Sequence, residues 1–233
     1  MNDKIGTMLD PGEGEIILSG IVGSVAHGLT QVGSDVDRLG IFQRPTRQLL
    51  GLRSRRDSVV STSPDITVHE LGKFIGLALR CNPTVTELLW LDSHEIAAPV
   101  GRQLVAARSA FLSEKLVRNS YIGYANAQFL KLKARGYESF QAGIGSRSAK
   151  HARHMFRLLE QGEHLLRTGS LTTRVAEPSW YLRVLPGLTI FELTDLFNIR
   201  AAAVRDTASV LSKEPDRGRI ETLLIEARIS ALQ

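Results

Sequence analysis

The 233-residue sequence contains a single cysteine, Cys81. A disulfide framework and a Cys-rich zinc site are thereby excluded. No run approaches the roughly 18 apolar residues a membrane-spanning helix needs, so none is expected. The opening residues, Met1 to Glu15, are polar and glycine-rich without an apolar h-region, which predicts no secretory signal. With one thiol, a reducing cytosol is the expected setting. No Gly-x-Gly-x-x-Gly follows a strand, which disfavours a Rossmann-type oxidoreductase, and Gly-Lys-Ser/Thr is missing, which disfavours a P-loop kinase. Internal repeats and low-complexity tracts are also absent.

What is present is ordinary for a globular protein: 43% apolar and 23% charged residues, enough to bury a core without staples. The net charge of +5 is unevenly spread. Residues 1–116 sum to −1 and residues 117–233 to +6; the stretch 117–160 alone has 8 basic and 2 acidic residues. A near-neutral part joined to a basic part suggests chemistry in one and anion binding in the other, although basic faces are also common on proteins that bind no nucleic acid.

Glu15 to Val22 is β-branched and apolar between glycines and reads as a buried strand. Gly23-Ser24 breaks it, and Val25 to Leu29 starts a short helix. Asp35-Val36-Asp37 begins a second strand that runs through Phe42. Residues 44–57, with five arginines, read as a mobile surface loop. Asp57–Ser61 and Pro64–His69 are further strands, and a helix with Leu71, Phe74, Ile75 and Ala78 on one face follows. After about residue 100 the strand signals nearly vanish. Helices are expected over 104–113, 114–135, 148–168 (with Ser148 as N-cap and Gly169 as stop), 191–211 and 220–232. A glycine-rich loop is expected over 136–146, and an irregular or short extended segment over 180–188. The fold class is therefore mixed α/β for residues 1–110, a catalytic domain, followed by an α-helical domain over residues 111–233.

The chemistry is concentrated in Gly23-Ser24, ten further residues, then Asp35-Val36-Asp37. Residues i and i+2 of a strand share a face, so Asp35 and Asp37 are expected to stand side by side. Two like charges a few Å apart are costly without a cation between them, and Mg²⁺ prefers such oxygen donors while keeping places for phosphate oxygens. Backbone N–H groups and the hydroxyl of Gly23-Ser24 can hold a phosphate. Together these parts suit phosphoryl or nucleotidyl transfer. Turn chemistry at Gly33-Ser34-Asp35 and a helix N-cap at Ser24 are the bland alternatives.

The layout resembles the DNA polymerase beta nucleotidyltransferase superfamily, whose signature is Gly-Ser after the first strand and Asp-x-Asp on the second. The run from Gly23-Ser-Val-Ala-His-Gly-Leu to Gly33-Ser-Asp-Val-Asp-Arg-Leu-Gly-Ile-Phe is similar to one bacterial and phage branch, the nucleotidyltransferases encoded near RNA ligases. Lys73-Phe74 to Asn82-Pro83 and Glu87-Leu88-Leu89 agree with that branch, as does Lys150-His151-Ala152-Arg153-His154-Met155-Phe156-Arg157. The resemblance spans roughly residues 15–170. Asp37-Arg38-Leu39-Gly40 departs from it, since relatives more often place an apolar residue and then a basic one there.

The resemblance implies a two-metal scheme with Asp35, Asp37 and a third carboxylate as ligands and catalytic groups. Asp65, opening a strand, is the candidate; Glu70, at a helix start, is the alternative. It implies nucleoside triphosphate binding by Gly23 and Ser24. It also points to Lys150, His154 and Arg157, which fall at i, i+4 and i+7 on one helical face, opposite to a solvated basic face as the other reading. The implied partners are a nucleoside triphosphate, Mg²⁺ and, among acceptors, an RNA end; a protein hydroxyl (AMPylation) or a small molecule stays open. A catalytically inactive nucleotide- or RNA-binding module is the competing class. His27 is left outside the chemistry, His69 and Cys81 are read as packing residues, and Glu87 as a surface acid. No membrane is implied, and oligomeric state is not legible.

Overall fold

In the computed structural model, residues 5, 13–52, 55–134 and 147–232 are described. The glycine-rich loop expected over 136–146 and most of the polar start lie outside them. Among the described residues five strands form one mixed sheet: β1 (Glu15–Ile21), β2 (Arg38–Gln43), β3 (Ser58–Thr62), β4 (Asp65–Glu70) and β5 (Ile96–Ala97), in the order β3-β4-β2-β1-β5. β2 and β4 run parallel, and every other pair is antiparallel. The parallel pair is possible because the chain between them makes a long crossing through β3. A short helix α1 (Gly23–Ala26) follows β1. The second strand begins at Arg38, three residues later than its Asp-x-Asp start was expected. Asp35 and Asp37 therefore lie on the loop entering the strand, because glycine, serine and aspartate favour turn conformations over ladder pairing.

Leu18, Ile41, Phe42, Ile66 and Val68 are fully buried in the sheet. α2 (Leu71–Ala78) lays Leu71, Phe74, Ile75 and Ala78 against the core. α3 (Pro83–Thr86) is capped by Asn82, whose Oδ1 accepts from Thr84 N at 3.1 Å. Asn82-Pro83 thus starts a helix as well as ending one, with proline at the first turn, where its missing N–H costs nothing. α4 (Pro99–Ala106) completes this stretch. The arginine-rich segment 44–57 is not simply a surface loop. Arg44 is fully buried, donating to the Arg56 carbonyl at 2.9 Å and to Gln48 Oε1 at 3.3 Å.

Among the described residues beyond 111 the regular elements are helical, the longer ones being α5 (Glu114–Ala134), α6 (Arg147–Thr168), α7 (Ile190–Asp206) and α8 (Arg217–Ser230). Gly169, with φ +71°, stops α6 as expected. α6 begins at Arg147, so Ser148 lies inside the helix rather than at its cap. Residues 180–187 form a π turn and a 3₁₀ turn, not an extended segment. Among the described residues no helix is long and apolar enough to cross a membrane.

By its contacts the chain forms two units, Met1–Phe111 with Pro215–Gln233, and Leu112–Glu214. The expected helical domain of 111–233 thereby loses its last helix, α8, to the first unit. α8 is held there by Arg228, whose Nη1 and Nη2 lie 2.6 and 2.8 Å from the two oxygens of Glu70. Thr46 N also donates to Ala231 O at 2.8 Å. A single helix with a mixed surface carries no sequence signal for which unit it joins, because that choice rests on long-range partners.

Candidate active site

The turn after β1 brings Gly-Ser and Asp-x-Asp together. Val22 N donates to the Asp37 carbonyl at 2.9 Å, closing the 23–36 segment at its base. Gly23 has φ +66°, a conformation that side chains rarely adopt, and a Cβ added there would stand 2.1 Å from Asp37 Oδ2. The Asp37 carboxylate thus rests directly against the Gly23 backbone, in room that only glycine leaves. Ser24 follows, half-buried, in α1, and Leu29 N donates to its carbonyl at 2.9 Å.

The parallel pairing supplies the second carboxylate. Arg38 sits opposite Ile66 and Leu39 opposite Thr67. Asp37 and Asp65 therefore precede the first register pair on adjacent strands running the same way. Both line a cavity of about 220 Å³ together with Gly23, Thr67, His69 and Glu87. Asp65, Thr67 and His69 share one face of β4 by the two-residue alternation of a strand. Glu70 falls on the opposite face, is buried, accepts from Gly72 N at 2.7 Å and is paired with Arg228. Its oxygens are thus engaged in capping α2 and in pairing with Arg228. Asp35 is exposed and does not line the cavity. Among the described residues no three His, Cys, Asp or Glu side chains are gathered as a metal cluster.

His69 Nδ1 lies 2.8 Å from Ser58 Oγ. Burial above all, with the Lys73 charge adding to it and Asp57 opposing, holds its imidazole below the usual histidine range. A neutral ring there adds no positive charge beside the carboxylates at neutral pH.

In the second unit, Lys150 is exposed, His154 half-buried and Arg157 buried at 5% exposure. The basic stripe on α6 is therefore not one solvent-facing surface. Contacts with both α5 and α7 cover most of the helix circumference. Arg157 Nη1 donates to Gln161 Oε1 at 2.7 Å, and Gln161 Nε2 donates to the Thr172 and Thr173 carbonyls, each at 3.2 Å. This buried network ties α6 to the segment after it. Arg157→Ala is accordingly expected to cost about 1.5–3 kcal/mol of stability, the range for a hydrogen bond to a charged group. A lowered melting temperature with little change in nucleotide KM would show it.

The RNA repair pathway DNA polymerase beta family (RlaP) has a sequence profile that matches residues 1–187, well over half of the chain. The chain belongs to this family. A comparison with curated proteins finds no match. The range matched to the RNA repair pathway polymerase beta family includes Gly23, Asp37, Asp65 and all of α6. It is consistent with an α/β nucleotidyltransferase-type part followed by a helical part. Polymerase beta-like nucleotidyltransferases generally use divalent metals.

Three residues lining or flanking the site in this family member escape a sequence reading. His27 Nε2 lies 3.2 Å from Glu87 Oε2, and both side chains are at most 7% exposed. Glu87 is thus no surface acid. A lone carboxylate inside the apolar run 84–91 was the available signal, since a buried acid needs a partner. Arg38, whose role the sequence leaves open, donates from Nε to Glu95 at 3.0 and 3.1 Å.

The contact between Gly23 and Asp37 makes a direct prediction. Gly23→Ala forces Cβ into the place of the carboxylate and strains a positive φ by about 1–2 kcal/mol. Activity should fall by orders of magnitude while most molecules stay folded, as read by pyrophosphate release alongside circular dichroism.

Proposed function

We propose that the protein is a Mg²⁺-dependent nucleotidyltransferase that places a nucleoside monophosphate from a nucleoside triphosphate on an acceptor hydroxyl, with an RNA end as the acceptor. One observation carries this reading: Asp37 and Asp65 lie at corresponding ends of two adjacent parallel strands, in one cavity, with the first against Gly23. The donor set fits the metal. Both side chains offer hard oxygen ligands, and Mg²⁺ is commonly held by one or two carboxylates plus substrate phosphates and water rather than by a cage built wholly of protein. Asp37 and Asp65 would hold it, with Asp35, two residues back on the same loop, as the further ligand. When bound, the ion neutralises charge on the α-phosphate and on the leaving pyrophosphate.

The chain's own groups do the rest. Gly23, which carries no Cβ, lets phosphate oxygens approach the backbone, and the Ser24 hydroxyl donates to them. Asp65 accepts the proton of the acceptor hydroxyl as its oxygen bonds to the α-phosphorus. The bond to the β-phosphate oxygen breaks, and pyrophosphate leaves with the electron pair. Thr67, on the same face of β4, orients the acceptor. The family's link to RNA repair supports RNA as acceptor.

The test is incubation with each of four labelled nucleoside triphosphates, Mg²⁺ and total RNA. Labelled RNA and matching pyrophosphate are expected. Label on protein alone would make the enzyme an AMPylator, and pyrophosphate release from none of the four would make it a binding module.

A further inference from the structure

The second unit has a cavity of its own, about 820 Å³, walled by α6, the segment after it and α7. Three aromatic rings brace one side. Trp180, half-buried, meets Phe156 edge to face at 5.5 Å and Tyr181 at 4.9 Å. Tyr181 is fixed in turn by donating its hydroxyl to Glu160, whose other oxygen accepts from Ala176 N at 3.1 Å. The Trp180 ring is therefore held in one place before any ligand arrives.

Around this wall stand Arg167, Arg174, Arg183 and Arg200. They come from α6, the following loop, the π turn and α7. All four are exposed, and none makes a hydrogen bond or an ion pair among the described residues. Glu163 and Glu177 line the same hollow without pairing to them. The four guanidinium groups come from four segments and outnumber the three carboxylates of the lining, Glu160, Glu163 and Glu177, which leaves them available to phosphates entering the hollow. The unit as a whole has that character: residues 112–214 carry a net +6, against −1 for the remainder.

The chemistry selects among polyanions. A pre-set indole is a stacking platform for an unpaired base, and guanidinium groups bind phosphates through paired N–H donors. Duplexes keep their bases stacked on one another and offer nothing to the indole. Carboxylates are a poor neighbour for phosphate but a good acceptor for a ribose 2′-hydroxyl, the group that separates RNA from DNA. The volume lies within the roughly 300–1,000 Å³ of small-ligand sites, enough for a nucleotide and the phosphates flanking it.

We infer that this cavity binds single-stranded RNA, with one base against Trp180 and the neighbouring phosphates on the four arginines. The inference deepens the reading of RNA as acceptor but depends on the second unit alone.

Binding of a short single-stranded RNA oligonucleotide to the full-length protein is read by anisotropy and by tryptophan fluorescence, in which the buried Trp90 is the only other emitter. RNA should quench the wild type. Trp180→Leu should weaken binding about tenfold or more, since stacking of one base carries a large share of single-strand affinity. Trp180→Phe, which keeps a ring, should stay within a few-fold. Arg174→Gln and Arg200→Gln, both surface changes that leave the core alone, should each lower the slope of log Kd against log salt by about one. The exposed Arg219→Ala in the first unit should change nothing. DNA of the same sequence should bind more weakly.

Wild-type affinity in Trp180→Leu, or unchanged salt slopes in both arginine variants, overturns the inference. Equal binding of DNA and RNA overturns the assignment to RNA. Asp37→Asn separates the two readings, because it should bind RNA as the wild type does. If it still transfers nucleotide while RNA binding depends on Trp180, the active-site reading fails and the cavity stands.

Discussion

Asp37→Asn is expected to abolish nucleotidyl transfer, by about 10³-fold or more, because it withdraws a metal-holding charge worth several kcal/mol in the transition state. The amide keeps the shape of the carboxylate against Gly23, so the fold should hold. Stability in Mg²⁺-free buffer should be unchanged or slightly higher, since one of the negative charges near Asp65 is gone. The neighbouring Asp35→Asn, altering an exposed side chain outside the cavity lining, should lose less. Mg²⁺-dependent pyrophosphate release from the two variants gives the comparison. Full activity in Asp37→Asn would remove the metal assignment, and equal losses in both would restore the symmetric pair that the sequence suggests.

The largest stability effect is expected at Glu70, on the face of β4 opposite to Asp65. Glu70 is almost wholly buried, and its two oxygens are taken by the Arg228 guanidinium of α8 at 2.6 and 2.8 Å. Arg228→Ala strands that carboxylate. Breaking one side of a buried pair typically costs about 3–5 kcal/mol, and the partial exposure of Arg228 puts the expected value near the lower end. At about 2–4 °C per kcal/mol for a chain of this size, the melting temperature should fall by roughly 6–12 °C. Glu70→Gln combined with Arg228→Met, which removes both charges and keeps volume, should recover much of the loss. Thermal unfolding of the single and double variants checks this. A double variant no better than Arg228→Ala would mean that the helix is held by something other than the pair.

The strand–turn–Asp motif was legible because each part is local. Gly23 needs its positive φ, the apolar residues flanking it alternate or cluster as strands do, and Asp65 opens a recognisable β4. Asp35 was misplaced onto the strand because two-residue alternation cannot show where a ladder begins; turn residues decide that. Glu87 and Arg44 escape a sequence reading for a common reason. Each is a charged residue that reads as solvated, and each is buried beside a partner close in space but distant in the chain. Sequence patterning reports the apolar stripe of an element but not which charges its neighbours can satisfy. α8 fails for the same cause: its Glu70 partner lies 158 residues away in the chain.

The path of the chain between the two units has a consequence for synthesis. The second unit is an insertion whose entry and exit are pinned close together, Asp216 N on Ala110 O at 2.9 Å in the first unit and Glu114 N on Ser212 O at 2.9 Å in the second. A ribosome delivers the strands and both cavity carboxylates early, then the whole helical insertion, and only then residues 217–230. Domains that are contiguous tend to fold in order from the N-terminus. Here the order is inverted: the insertion can finish while the sheet that precedes it still waits, with Glu70 uncompensated, for the last helix to emerge.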